Sequence, residues 1–335
     1  MTETRTGYLP ELDGVRAASI LLVIATHLLP VGPSHWELNS ATGLMGMSLF
    51  FCLSGFLITR FLYESPDIGT FFTRRIARIV PLMAFFSFVV AGLMYQRWDT
   101  FQAIMLLYMN YTALGFKGIG HLWSLCVEMH FYIAIGLAIW IFGRRGFWLV
   151  PVAAILVMWA RVDIGAYKSI NTHLRVDEIL SGSLLALFWL NLHRPGFERI
   201  AHWWGRGFWI FLPLWFLSSH TQLGGDMAYL RPYFAMALVG SILFMPEGFI
   251  RQICRLPVLA YIAAISYALY VWHPLTALGW LGEGDKWTLY LIKRPISFVL
   301  FFALAHISTF TLERYFTQLA RRLTAKKAAA EPTGQ

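Results

Sequence analysis

Apolar stretches of about 17–25 residues, long enough for a helix to cross a ~30 Å hydrocarbon core, recur from end to end of this 335-residue chain. They leave no interval wide enough for a soluble domain. Charge points the same way: only 13% of the residues are charged and 58% are hydrophobic, against roughly 25% charged in a soluble domain whose surface must be wetted. The expected fold class is therefore all-α, a polytopic integral membrane helical bundle. The apolar stretch from Ala17 to Val31 runs into Gly32-Pro33-Ser34-His35 with no small-residue cleavage site. It reads as the first span, not as a removed signal.

Spans are expected near 13–31, 43–62, 79–96, 122–143, 147–161, 177–192, 208–219, 229–246, 258–277 and 295–314. The apolar piece 101–116 is short. If it crosses, the count is eleven, and Arg144 and Arg145 share a side with the loop 32–42, which has no Lys or Arg. If it is re-entrant or interfacial, ten spans remain and both termini lie on one side. Eighteen of the 27 basic residues then gather there, from Arg16, Arg74, Arg75 and Arg78 to Arg321, Arg322, Lys326 and Lys327. The positive-inside rule makes that side cytoplasmic in a cell membrane. Orientation accounts for the +9 net charge better than a nucleic-acid partner does. Residues 1–320 form the membrane domain; the basic tail 321–335 reads as a frayed, disordered cytoplasmic end. Cys52, Cys126 and Cys254 lie in or beside apolar stretches without Cys-x-x-Cys spacing, so they suggest neither a metal site nor a disulfide framework.

In such a chain the informative residues are ionisable groups inside spans, each costing several kcal/mol unless paired or hydrated. The first span carries Asp13, Arg16, Ser19 and His27. Eleven residues bring Arg16 and His27 to one helix face, about 16 Å apart along the axis. His27 then faces an internal cavity or bonds to a neighbouring helix. In Phe72-Thr73-Arg74-Arg75-Ile76-Ala77-Arg78, Arg75 and Arg78 are i, i+3 neighbours, suited either to clamping phosphates or to anchoring the helix. His121, Ser124 and Glu128 recur at i, i+3 and i+7 on one face, and ten spans would place Glu128 near the depth of His27. Arg175 and Asp177, which open the sixth span, pair at the interface or serve the site. Ser266, Tyr270 and His273 share another face. No Gly-x-Ser-x-Gly elbow or phosphate-binding Gly-rich loop occurs, so any chemistry belongs to these His, Glu and Arg residues.

Taken in order, these blocks resemble the membrane-bound acyltransferase-3 family. Arg16 and His27 match its Arg-x10-His signature, and Phe50–Thr59, Arg74–Pro81, His121–Tyr132 and Ile265–Leu275 look like its further blocks, with Arg175–Gly182 a weaker one. The resemblance covers nearly the whole chain. It implies an integral membrane enzyme that takes an acyl group, usually acetyl, from cytoplasmic acyl-coenzyme A. The acceptor is a hydroxyl of a carbohydrate, often a surface polysaccharide or its lipid-linked precursor, and no cofactor is held permanently. His27 would be the catalytic histidine with Arg16 its motif partner, Arg75 and Arg78 (with Arg74) the donor-binding motif, and Glu128 the acid. His121, Ser124, Arg175, Asp177, Tyr270 and His273 would support the site or the acceptor. Some members carry an appended hydrolase-like domain that is not seen here, so a second transfer step would fall to another protein. In this reading neutral His27 takes the hydroxyl proton and Glu128 orients the imidazole or binds sugar; an acyl-histidine is the alternative chemistry. The rival class is a proton-coupled transporter in which His27 and Glu128 relay protons.

Overall fold

The computed structural model describes residues 7–330, and every regular element among them is helical. The first half holds α1 (Glu11–Leu28), α2 (Leu38–Glu64), α3 (Ile68–Ser87), α4 (Trp98–Met105), α5 (Trp123–Phe142), α6 (Leu149–Ile164), α7 (Thr172–Arg175) and α8 (Asp177–Leu190). The second holds α9 (Phe197–Gly205), α10 (Phe208–Ser219), α11 (Arg231–Phe244), α12 (Phe249–Cys254), α13 (Pro257–Ala264), α14 (Ser266–Trp272), α15 (Gly279–Gly282), α16 (Arg294–Ser308) and α17 (Arg314–Ala330).

Five helical stretches are long and apolar enough to cross a membrane, and a sixth is the pair α13–α14 with its short extension, bent by 56°. One of the five runs from Gly120 to Ile164. Straight, it would be about 68 Å long, twice what a bilayer needs. It turns instead at Gly143, whose φ of 58° is in the left-handed region, and Gly146 lies back against Ala138. α1 has the length of a span but opens with Glu11, Asp13 and Arg16. The piece 101–116 holds only the end of α4 and a single 3-10 turn.

α2 is the centre of the bundle, packed against α1 and α8 and touching α5, α10 and α11. Lipid tails supply no hydrophobic drive between helices, so close approach of small residues takes its place. A Cβ on Gly55 would fall 1.8 Å from the Ile179 carbonyl oxygen, and one on Gly182 the same distance from that of Cys52. The α2–α8 crossing therefore requires glycine on both sides. Gly46 admits the α1 backbone at Ser19 in the same way, and the Ser19 hydroxyl donates to the Gly46 carbonyl at 3.0 Å. These contacts hold α1, which carries both Arg16 and His27, rigidly against the central helix.

The expected frayed end is helical as far as the structure describes it. Residues 321–330 continue α17, with Thr324 buried and accepting from Arg74 at 3.3 Å. Residues 331–335 lie outside the described residues.

Candidate active site

The intramembrane polar residues gather at two levels of the bundle. At the first level Arg16 from α1 meets Arg75 and Arg78 from α3. All three line a cavity of about 340 Å³ together with Tyr8, Asp13, Arg60 and Glu64. A small recess of about 50 Å³ deepens it toward Phe50, Ser54, Glu128, Tyr132 and Tyr267. Arg75 and Arg78 also line a neighbouring cavity of about 180 Å³ with Arg74 and Arg321. Arg60 is paired with Glu64 at 2.9 Å, whereas Arg16, Arg75 and Arg78 have no ion-pair partner among the described residues. The Tyr8 hydroxyl donates to Asp13, and that bond raises the phenol above its ordinary value, so it remains a donor. Three unpaired guanidiniums in one cavity form a site for a polyanion.

Glu128 belongs to this level. Its carboxylate accepts from Ser54 at 2.6 Å and from the Tyr132 hydroxyl, while the Arg75 guanidinium lies 5.9 Å from the centre of the Tyr132 ring. The expectation that Glu128 shares the depth of His27 and orients its ring is overturned. His121, in the 3-10 turn just before α5, lines the same cavity as His27, whereas Glu128 lines the arginine recess. Glu128, seven residues on, is about 10 Å further along the axis.

At the second level are the imidazoles. His27, in the last turn of α1, is exposed to a cavity of about 380 Å³ that also touches Thr26, Ser40, Met47, His121, Trp123, Lys168, Arg175 and Tyr270. The His27 ring centre is 5.3 Å from that of His273, and His121 is 5.5 Å from His273. The Nδ1 of buried His273 lies 2.8 Å from the Tyr270 carbonyl and 3.3 Å from that of Leu269. A carbonyl only accepts, so Nδ1 carries the proton, and Nε2, buried without a partner, is the lone-pair nitrogen. Both ring nitrogens of His121 are likewise buried and unpartnered. Tyr270 donates its hydroxyl to the His121 carbonyl and meets Ser124 at 2.5 Å.

Tyr270 stands between the levels. Phe50, which lines the arginine recess, stacks on it at 6.0 Å and 11°, and Phe51 meets Trp123 edge-on beside them. The structure thus joins His27, His121, Tyr270 and His273, with Ser124 behind Tyr270. Separately, it joins Arg16, Arg75, Arg78 and Glu128, with Arg74 at the margin.

Arg175 and Asp177 do not pair with each other. Asp177 bonds to Arg161 of α6, and Arg175 pairs with Glu178 at 3.2 Å and lies over Trp123 at 5.5 Å. Glu178 also accepts from Arg231 at 3.0 Å. Arg161 and Arg231 were missed in the sequence, though an arginine near the end of the apolar run of α6 is a signal of its own. Tyr132, at i+4 from Glu128, was equally readable. Nothing local points to Ser54.

A family model described as an acyltransferase domain, of the acyltransferase-3 type, matches residues 9–314. This chain belongs to the acyltransferase-3 family. Similar proteins include a Staphylococcus aureus (strain COL) protein named provisionally as an O-acetyltransferase, 27% identical over 79% of this chain and 50% of that protein. The O-acetyltransferase OatA of S. aureus (strain NCTC 8325 / PS 47) is 25% identical over the same shares. The chain thus spans about half the length of these relatives. No solved structure matches it significantly.

Proposed function

We propose that the chain is an integral membrane O-acyltransferase, most simply an O-acetyltransferase, with ten membrane crossings and both termini in the cytoplasm. Acyl-coenzyme A is the donor and a carbohydrate hydroxyl the acceptor. The observation that carries this reading is that one helix, α1, brings Arg16 into a cavity of unpaired guanidiniums and His27 into a cavity of imidazoles. The two lie about 16 Å apart by helix rise. Phosphates of the donor sit at Arg16, Arg75 and Arg78, and the pantetheine arm is long enough to bring the thioester toward His27.

A thioester is already activated, so the chain must supply a base and placement. His27 takes the proton of the acceptor hydroxyl as its oxygen bonds to the thioester carbonyl carbon. Collapse breaks the C–S bond, and the imidazolium returns the proton to the departing thiolate. His273, with its tautomer fixed by the α14 backbone, packs its ring beside that of His27 and keeps Nε2 unprotonated there. Glu128 serves the donor end, where it offsets part of the arginine charge. The stacked rings of Phe50 and Tyr270 stand between the two cavities, so they part to admit the pantetheine arm.

The test is acyl-coenzyme A turnover by the purified chain in lipid, with sugar acceptors, for wild type, His27→Ala and Arg78→Ala. Donor binding that needs Arg78 and turnover that needs His27 are expected. A wild-type protein that neither binds nor consumes acyl-coenzyme A would sink the proposal.

A further inference from the structure

A third cavity, of about 270 Å³, adjoins the imidazole cavity and has no part in the mechanism above. The two share Leu44 as a wall residue. Tyr167, Ser219, His220, Thr221, Tyr229 and Arg231 line the third. Between the cavities runs the buried network of Arg161, Arg175 and Arg231 with Asp177 and Glu178, none more than 3% exposed. Three guanidiniums face two carboxylates, so one positive charge is uncompensated where burial makes that costly.

Two guanidiniums keep a buried donor without a partner, Arg175 at Nε beside the imidazole cavity and Arg231 at Nη1 beside the third cavity. Arg161 is fully engaged, by Asp177 and by the carbonyls of Ala166, Tyr167 and Tyr229. Arg231 gives Nε to Glu178 and Nη2 to the Tyr167 carbonyl at 3.2 Å, but its Nη1 is buried with no partner. The Thr221 hydroxyl is buried and unpartnered as well. His220 accepts two backbone N–H groups at Nδ1, from Gln222 and Leu223, so its proton is on Nε2 as a further donor. Exposed Asp226 also lines this cavity, on the solvent side of the buried donors, while exposed Lys168 lines the adjoining imidazole cavity.

We propose that this cavity is an anion subsite for the acceptor: Arg231, Thr221 and His220 bind a carboxylate or phosphate group of the molecule whose hydroxyl reaches His27. The acceptor class narrows to acidic sugars or phosphate-bearing glycans. Calling the ligand an acceptor rests on the transferase reading; the anion site itself does not.

The experiment uses the full chain in zwitterionic lipid discs, with ionic strength held constant by chloride. Its unfolding temperature is titrated with sodium glucuronate, inorganic phosphate and glucose. Saturable stabilisation by glucuronate or phosphate, and none by glucose, is expected, and which anion binds more tightly tells carboxylate from phosphate. Arg231→Lys keeps a charge for Glu178 but loses the free fork, and should weaken binding about tenfold, the worth of one charge-assisted hydrogen bond. If that variant does not fold, Thr221→Phe fills the cavity from its loop without touching the ion network, and should abolish binding. A combined Arg75→Gln and Arg78→Gln variant should bind the anion as wild type does. The proposal is overturned if neither anion stabilises the protein beyond glucose, if affinity survives the substitutions at this cavity, or if it is lost on changing Arg75 and Arg78. Acyl-coenzyme A turnover is measured separately. Anion binding without turnover would leave the subsite standing and remove the transferase reading.

Discussion

The arginine cavity and the imidazole cavity hang on the same helix and obey opposite rules. In the first, Arg16, Arg75 and Arg78 gather without an ion-pair partner among the described residues. In the second, the rings of His273 and His121 share the site with His27, backbone carbonyls fix the His273 proton, and Lys168 and Arg175 also stand on the wall. A phosphate-rich ligand arriving from water is caught by permanent cations. A proton that must move within one reaction cycle needs a group that can gain and lose it. In the proposed reaction the two levels divide the labour of holding and reacting.

The largest break in that contrast should come from His27→Ala. Turnover is expected to fall by about 10²–10⁴, the usual loss on removing a general base, while equilibrium binding of acyl-coenzyme A stays as in wild type. Loss of binding as well would mean that the two levels are not separate. Next is the arginine level: Arg75→Gln or Arg78→Gln should raise KM for the donor roughly tenfold to a hundredfold. That range is what ~1.5–3 kcal/mol per charged hydrogen bond implies. kcat measured at saturating donor should hardly change, and a collapse of kcat with KM intact would move these residues into the chemistry. Tyr270→Phe sharpens the boundary. It removes a hydroxyl held by Ser124 and the His121 carbonyl, worth about 1 kcal/mol; a fall of about fivefold in kcat with unchanged donor KM is expected. At the small end is Asp99→Asn. Its Arg97 partner holds the Asp99 carboxyl below its ordinary range, but the pair is exposed, at 44% and 48%, and lines neither cavity. Turnover should not change, and any clear effect would show that the rim of the bundle reaches the site.

Much of this was legible in the sequence because it is local. Arg16 and His27 share one helix, so rise per residue alone fixes their separation, and Arg75 with Arg78 is one helical turn. Each expected span overlaps a helix or helix pair, since apolar run length is also a local property, but only five stretches, or six with the bent pair, are long and apolar enough to cross, not the expected ten. Partner choice is not local. Asp177 is two residues from Arg175, yet it bonds to Arg161, because α6 packs against α8 and brings the fully buried guanidinium into reach. The start of the Glu128 helix is expected within a residue of Trp123, but which turn faces which cavity depends on packing: Glu128 lines the arginine recess and His121 the His27 cavity. The third cavity draws on the end of α10, the following loop and α11. Its residues carry no motif that would join them before the chain folds.

A bilayer that stores a voltage cannot contain a continuous wet path, since each elementary charge that crosses dissipates about 2.3 kcal/mol per 100 mV. Two polar cavities meeting inside one bundle threaten to make such a path. The Phe50 ring lying flat on Tyr270, with Phe51 against Trp123 beside it, is the dry element in series between them. In the proposed reaction those aromatic faces would act as an electrical insulator as much as a partition, parting only for the arm of the donor.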